Sequence, residues 1–331
     1  MECVMSELPV LLVVFNRPDK ARRLIEALGE VKPTHLYVAA DGPRPDRPED
    51  QERCELTRSV ASNVDWPCAV KTRFLKNNLG CGRAVSSAIS WFFEHEDRGV
   101  ILEDDCLPHP HLFSFCSELL DRYADDERVM RIAGFSPYPQ RECPYDYHFS
   151  RRFYCWGWAT WHRAWKHFVY ELDALDEEAL AEMVRAYFPF YYQRKPCTDT
   201  LRRIRSGALK TWAIRWDVAC FAQNGLSIVP ERNLVTNIGV GEEEATHTKR
   251  KNQVFADLKT HPFQFPLRHP PFVYHDGRPE RALERLLHQN RPLKNRITYR
   301  LRHAGGTVVD FCETVPRERS ILHSLGLWSK T

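Results

Sequence analysis

Four stretches along the first third of the chain are apolar, and each ends in a polar cluster. Val10-Leu11-Leu12-Val13-Val14-Phe15 is a continuous apolar run, partly β-branched, and predicts a buried first strand. Asn16-Arg17-Pro18-Asp19 ends it, and Pro18 suits the first turn of a helix. Ala21, Leu24, Ile25 and Leu28 then recur at helical spacing, with Gly29 as a stop. Leu36 to Ala40 predicts a second strand, closed by Asp41-Gly42-Pro43, and a helix from about Glu49 to Ser62 follows. Ala69 to Leu75 alternates polar with apolar and predicts a third strand, followed by the turn Asn77 to Gly82 and a helix from Arg83 to Glu94. Val100-Ile101-Leu102 is the fourth strand, and Glu103-Asp104-Asp105 follows it directly. Strand and helix thus alternate four times, the pattern of an α/β doubly wound sheet. In a parallel sheet the strand ends share one edge, so the four polar clusters are expected to face one crevice.

Beyond this, the pattern predicts a helix at about His111 to Tyr123 and a strand from Val129 to Ala133. Further helices are expected over Asp173 to Phe188, Thr198 to Ser206 and Ala208 to Gln223, with a short strand at Ser227 to Pro230. The stretch from Phe149 to Trp165 is dense in aromatic residues and broken at Gly157. From about Arg278 the chain turns basic, with leucines between the arginines; such a stretch either packs on the domain or lies on an anionic membrane surface.

Composition removes several classes of function. The 331 residues carry a net charge of +3, which excludes a bulk nucleic-acid binder, and no run of 18 apolar residues exists to span a membrane. The first nine residues lack a basic start and an apolar centre, so no signal peptide is expected. The 11 cysteines are scattered without a CxxC pair, which points to reduced thiols and a cytoplasmic setting, with Cys68, Cys106 and Cys220 as core residues. No GxGxxG follows the first strand, which counts against a dinucleotide-dependent dehydrogenase.

The acids carry the chemistry. Three adjacent carboxylates repel one another and need a cation or full solvation. Their oxygens suit Mg²⁺ or Mn²⁺, with substrate phosphates completing the site; a solvated acidic turn is the plain alternative.

Taken together, Val-Phe-Asn16-Arg17, Ala-Asp41-Gly42, Asn78-Leu-Gly-Cys-Gly82-Arg83, Leu-Glu103-Asp104-Asp105, Cys155-Trp156-Gly157-Trp158, Trp216-Asp217 and Asn237-Ile-Gly239 through Ala-Thr246-His247-Thr248 resemble the nucleotide-sugar glycosyltransferases of the GT-A fold. The similarity is greatest to the branch of the mannosyl-glycoprotein β-1,2-N-acetylglucosaminyltransferases and their bacterial relatives. It implies a Rossmann-like mixed sheet flanked by helices. Residues 1–250 would form the transferase domain, with a donor half to about 135 and an acceptor half after it. Residues 251–331 would form a basic helical extension.

The resemblance also implies a UDP-sugar donor, a saccharide or lipid-linked saccharide acceptor, and a divalent Mn²⁺ or Mg²⁺. Asp105 would ligate the metal, with Asp104 toward the ribose or waters around the metal and Glu103 toward the base side or the motif's own loop. Asp41 would accept the uracil imide N–H, which cytosine lacks. Arg17 and Arg83 would contact the nucleotide or its phosphates. Gly157 would let the backbone approach the donor sugar between Trp156 and Trp158, whereas Trp161 and Trp165 read as core. Asp217 would be the general base, although the family carries two acids there and this chain has Asp217-Val218. His247, after Glu242-Glu243-Glu244, would close the metal or pyrophosphate from a lid. A nucleotidyltransferase and a non-catalytic sugar- or partner-binding protein are the alternatives; the first normally carries a glycine- and lysine-rich loop where Asn16-Arg17-Pro18 stands.

Overall fold

The computed structural model describes residues 6–138, 142–173, 175–188, 191–240, 255 and 258–289. In chain order the elements begin β1 (Val10–Val14), α1 (Pro18–Gly29), β2 (His35–Ala40), α2 (Glu49–Ser62), β3 (Ala69–Phe74), α3 (Gly80–Phe93) and β4 (Arg98–Glu103). These are the four strands and three helices expected from the pattern. β5 (Cys106–Pro108), α4 (His111–Arg122), β6 (Val129–Ala133), β7 (Tyr147–Ser150), β8 (Trp158–Trp161) and α5 (His162–Trp165) follow. The rest are α6 (Glu177–Tyr187), α7 (Tyr191–Arg205), α8 (Ala213–Ala222), β9 (Leu226–Pro230), β10 (Val235–Asn237) and α9 (Arg278–Gln289).

Eight strands form one mixed sheet in the order β3-β2-β1-β4-β8-β6-β9-β7. The first four are parallel, and β8 joins β4 antiparallel. Alternate residues explain the two layers. Val10, Leu12 and Val14 of β1 face a core with α1, α2 and α4, while Leu11 and Val13 face the other core with α3 and α8. Leu36, Val38 and Ala40 against Tyr37 and Ala39 repeat the division in β2, as the two-residue period of a strand requires. This is the Rossmann-like α/β layering that the sequence implied.

Three expectations are corrected. The aromatic segment contains β8, whose Trp158, Ala159, Thr160 and Trp161 are all buried in the middle of the sheet. Helix α6 starts late because Asp176 caps it, accepting from Ala179 N at 2.7 Å. The helix expected from Ala208 begins only at Ala213, because Gly207 at φ +73° ends the preceding element.

The C-terminal return packs on the sheet. Glu280 of α9 is buried and accepts from Ser150 Oγ at 2.8 Å, and Leu283 is buried beside it. The apolar side of α9 is thereby used against the protein at Leu283, and residues from 290 on lie outside the described residues. Among the described residues no helix is long and apolar enough to cross a membrane.

Candidate functional site

The strand order reverses at β1, whose partners are β2 on one side and β4 on the other. Ligands of open α/β sheets bind beyond the strand ends at such a switch point. The register aligns Val13 with Glu103 and Val14 with Ala40, and Ala40 aligns with Phe74, so the polar clusters leave the sheet at one edge.

Arg17 and the acids meet there. Arg17 precedes Pro18, the first residue of α1, which fixes where its side chain starts. Its Nε donates to Asp104 Oδ2 at 3.1 Å, Nη2 donates to Asp104 Oδ1, and Nη1 donates to Asp105 Oδ2 at 3.2 Å. Asp104 is buried, and this fork satisfies it. Burial and the neighbouring acids push the Glu103 carboxyl upward; burial also pushes Asp104 upward, against the pull of Arg17. The Glu103 carboxylate, at the end of the β4 ladder, makes no hydrogen bond among the described residues.

Asp105 lies against a segment distant in sequence. Its backbone carbonyl accepts from Ile238 N at 2.8 Å, and Asn237 Nδ2 approaches Oδ1 at 3.4 Å. A Cβ on Gly239 would lie 2.6 Å from Asp105 Oδ2 and 3.1 Å from its Cβ, so a side chain there would displace the Asp105 carboxylate. The motif Asn237-Ile-Gly239 therefore belongs to the acid cluster. His247 and Glu242 to Glu244, further along the same stretch, lie outside the described residues.

Asp41 is engaged by neighbouring loops within the protein. Oδ1 accepts from Gly42 N and Leu79 N, both at 2.8 Å, and Oδ2 accepts from Gly80 N at 2.9 Å and Asn78 Nδ2 at 3.0 Å. Four donors fill the acceptor sites of one carboxylate, leaving none for a uracil imide. Two of the donors open α3, so Asp41 is the anion at that helix N-terminus. Burial pushes its pKa upward while these N–H groups pull it back. Gly42 is required by the same contact: a Cβ there would lie 2.4 Å from the Asn77 carbonyl carbon.

Other assignments shift similarly. Gly157 has φ +61°, and the place of its missing Cβ is taken by Val235 Cγ2 at 2.6 Å and Leu102 Cδ2 at 3.2 Å, so this glycine serves interior packing. Trp158 is buried and stacks on Trp212 at 5.5 Å, so it does not wall a pocket; Trp156 is half-buried against Phe135. Trp161 and Trp165 are core residues, as read from the sequence. Arg83 is exposed, lies over the Tyr170 ring and pairs with the equally exposed Glu171.

Asp217 projects from α8 to the sheet, where Arg131 Nη1 donates to its Oδ1 at 2.6 Å. Neither Arg215 nor Arg203 is its partner: Arg215 donates to the carbonyls of Tyr170 and Thr211. Burial pushes the Asp217 carboxyl upward, and Arg131 opposes this. Burial pushes the Cys155 thiol up, and the charges of Glu103, Asp217 and Asp105 add to it.

Arg131 was missed from the sequence, although it is the single charge in the buried strand Val-Met-Arg-Ile-Ala, a detectable signal. Asn237 of the acid cluster was quoted only as part of a motif. Among the described residues no group of three or more His, Cys, Asp or Glu is arranged to hold a metal. Glu103 and Asp105 nonetheless offer hard oxygen donors, and Mg²⁺ is commonly held by one or two carboxylates together with substrate phosphates.

No family model matches the chain, and no curated protein matches it. Among solved structures the chain is similar to UDP-glucose pyrophosphorylase complexed with UDP-glucose, at 10% identity and a TM-score of 0.26. The match covers 44% of this chain and 64% of that one.

Proposed function

We propose that this protein is a glycosyltransferase that moves a sugar from a UDP-sugar to an acceptor hydroxyl, with a divalent cation, in polysaccharide or glycoconjugate assembly. The observation that carries the reading is the meeting of Arg17 with Glu103-Asp104-Asp105 at the switch point of the sheet. In this reading residues 1–250 are the transferase domain and the chain acts in the cytoplasm. N-acetylglucosamine is the sugar that the Glu-Asp-Asp match implies, and a saccharide or lipid-linked saccharide is the acceptor.

Each residue then has a task. Asp105 and Glu103 would hold Mn²⁺ or Mg²⁺, which supplies positive charge to a leaving diphosphate. Arg17, on the same acids, would add a second positive charge beside that leaving group. Asp217 has one oxygen fixed by Arg131, and its Oδ2 is left to take the acceptor proton. A single displacement with this one base inverts the anomeric centre.

The test is a screen of sugar nucleotides with Mn²⁺ that reads nucleoside diphosphate release, with the product anomer read by NMR. UDP release with an inverted product supports the reading. Pyrophosphate release from UTP and a sugar 1-phosphate would make the protein a nucleotidyltransferase instead. Donor binding without turnover on any acceptor would leave a binding protein.

A further inference from the structure

Arg131 sits in the middle of β6, a strand whose five residues are all buried, and is itself fully buried. A guanidinium in such a place needs a compensating anion and fixed donors' partners. Its Nε donates to Ser227 Oγ at 2.6 Å, its Nη1 to Asp217 Oδ1 at 2.6 Å, and its plane lies 4.3 Å from the centre of the Phe153 ring. Ser227 belongs to the neighbouring strand β9, so Nε and Nη1 are held from two elements, while Nη2 is buried without a hydrogen-bond partner among the described residues. Asp217, in contrast, keeps 18% of its side chain exposed. The pair therefore has a closed end at Arg131 and an open end at Asp217.

We propose that Arg131 is a positioning residue: it fixes the rotamer of Asp217 and keeps that carboxylate ionised, with Oδ2 toward the acceptor. The proposal rests on the reading of Asp217 as the base. The groups facing Asp217 are few. Arg131 from β6 and Arg152 from the segment before β8 are the cations. Cys155, Tyr187 of α6, Cys197 of α7 and Cys220 of α8 are neutral at neutral pH, and each feels the Asp217 charge. Arg152 is turned to Glu284, to which its Nη2 donates at 2.8 Å, so Arg131 is the cation bound to Asp217. Without it, burial is opposed only by Arg152, and the carboxyl titrates at higher pH.

The experiment uses the full-length protein and follows carbodiimide labelling of Asp217 by peptide mass spectrometry across the neutral range, beside kcat and donor KM. In Arg131→Gln the half-labelling pH should rise by about one unit or more. The acidic limb of kcat should move up with it, a roughly tenfold loss per unit on that limb, with donor KM unchanged. Arg131→Lys keeps the charge but spans Ser227 and Asp217 poorly, so it should leave the limb in place and lower kcat. An unmoved Asp217 titration in Arg131→Gln overturns the proposal. If that variant does not fold, an Arg131→Lys protein with wild-type kcat overturns it. Full turnover by Asp217→Asn would instead remove the reading of Asp217 as base, and the labelling shift would still stand or fall on its own.

Discussion

Arg17 grips Asp104 with two nitrogens and Asp105 with a third, and the Asp104 side chain is only 2% exposed. Removing one partner of a buried pair strands the other charge, at roughly 3–5 kcal/mol. Arg17→Met should therefore lower unfolding free energy by about 3 kcal/mol, read by urea denaturation. Burial already raises the Asp104 carboxyl against the pull of Arg17, and the mutant raises it further above its unfolded value. Its stability deficit should therefore be small at low pH and widen as pH rises through the folded value. Asp104→Asn in the same protein should recover much of the loss; a double mutant no better than the single would show that the pair is not what holds the loop.

Asp105 is the exposed end of that cluster. Asp105→Asn should weaken Mn²⁺ binding measured by calorimetry in the presence of UDP and reduce turnover by at least about 10²-fold. Its melting temperature should stay close to wild type, because it loses a single long contact to Arg17. Full turnover in excess chelator would remove the metal from the reaction.

Asp41→Asn tests the loop beyond β2. An amide offers one oxygen to four N–H donors, so two donors lose their partner, at about 1–3 kcal/mol each. The expected result is a loss of stability and an equal fractional loss of UDP and CDP binding. A selective loss of UDP would return Asp41 to base recognition.

Asp50 links the loops after β1 and β2: it accepts from Asn16 Nδ2 at 2.7 Å and from Arg44 Nη2 at 2.8 Å. The Arg44 hydrogen bond leads in holding its pKa down, to about 2. A lowered carboxyl contributes stability above its unfolded pKa, about 4, and loses it as pH falls through about 2. With Arg44 partly exposed and so screened, the contribution is about 1–2 kcal/mol. The stability gap between wild type and Asp50→Asn should be full at neutral pH and close between about pH 4 and pH 2.

Gly157→Ala places a methyl against Val235 at positive φ. Overpacking and left-handed backbone together should cost about 2–4 kcal/mol in thermal or urea unfolding. Val235→Ala in the same chain should relieve only the steric part, leaving about 1 kcal/mol.

The first four strands, their helices and the shared edge of their polar ends were legible in the sequence. The continuous apolar runs of β1 and β2, buried on both faces, and the period-3.6 burial in α1 and α3 are local properties of the chain. The acids at the end of β4 were legible for the same reason, since a strand that stops in three carboxylates marks its own end. Strands β7 and β8 were not read as strands. Tyr-His-Phe-Ser and Trp-Ala-Thr-Trp become strands because β9 and β4 pair with them, and pairing is set by residues far away in sequence.

The partners of the charged residues were equally hidden. Nothing near Asp217 in sequence points to Arg131, which is 86 residues away. Nothing near Asp41 shows that the N–H groups at 78–80 fold back onto it. Sequence determined which residues carry charge and where each strand delivers them. Only the tertiary structure decided which charges are already satisfied, because hydrogen bonds and desolvation depend on neighbours that the sheet brings together. By that criterion Asp41, Asp104 and Arg83 are engaged within the protein, while Asp217 has one oxygen bound by Arg131.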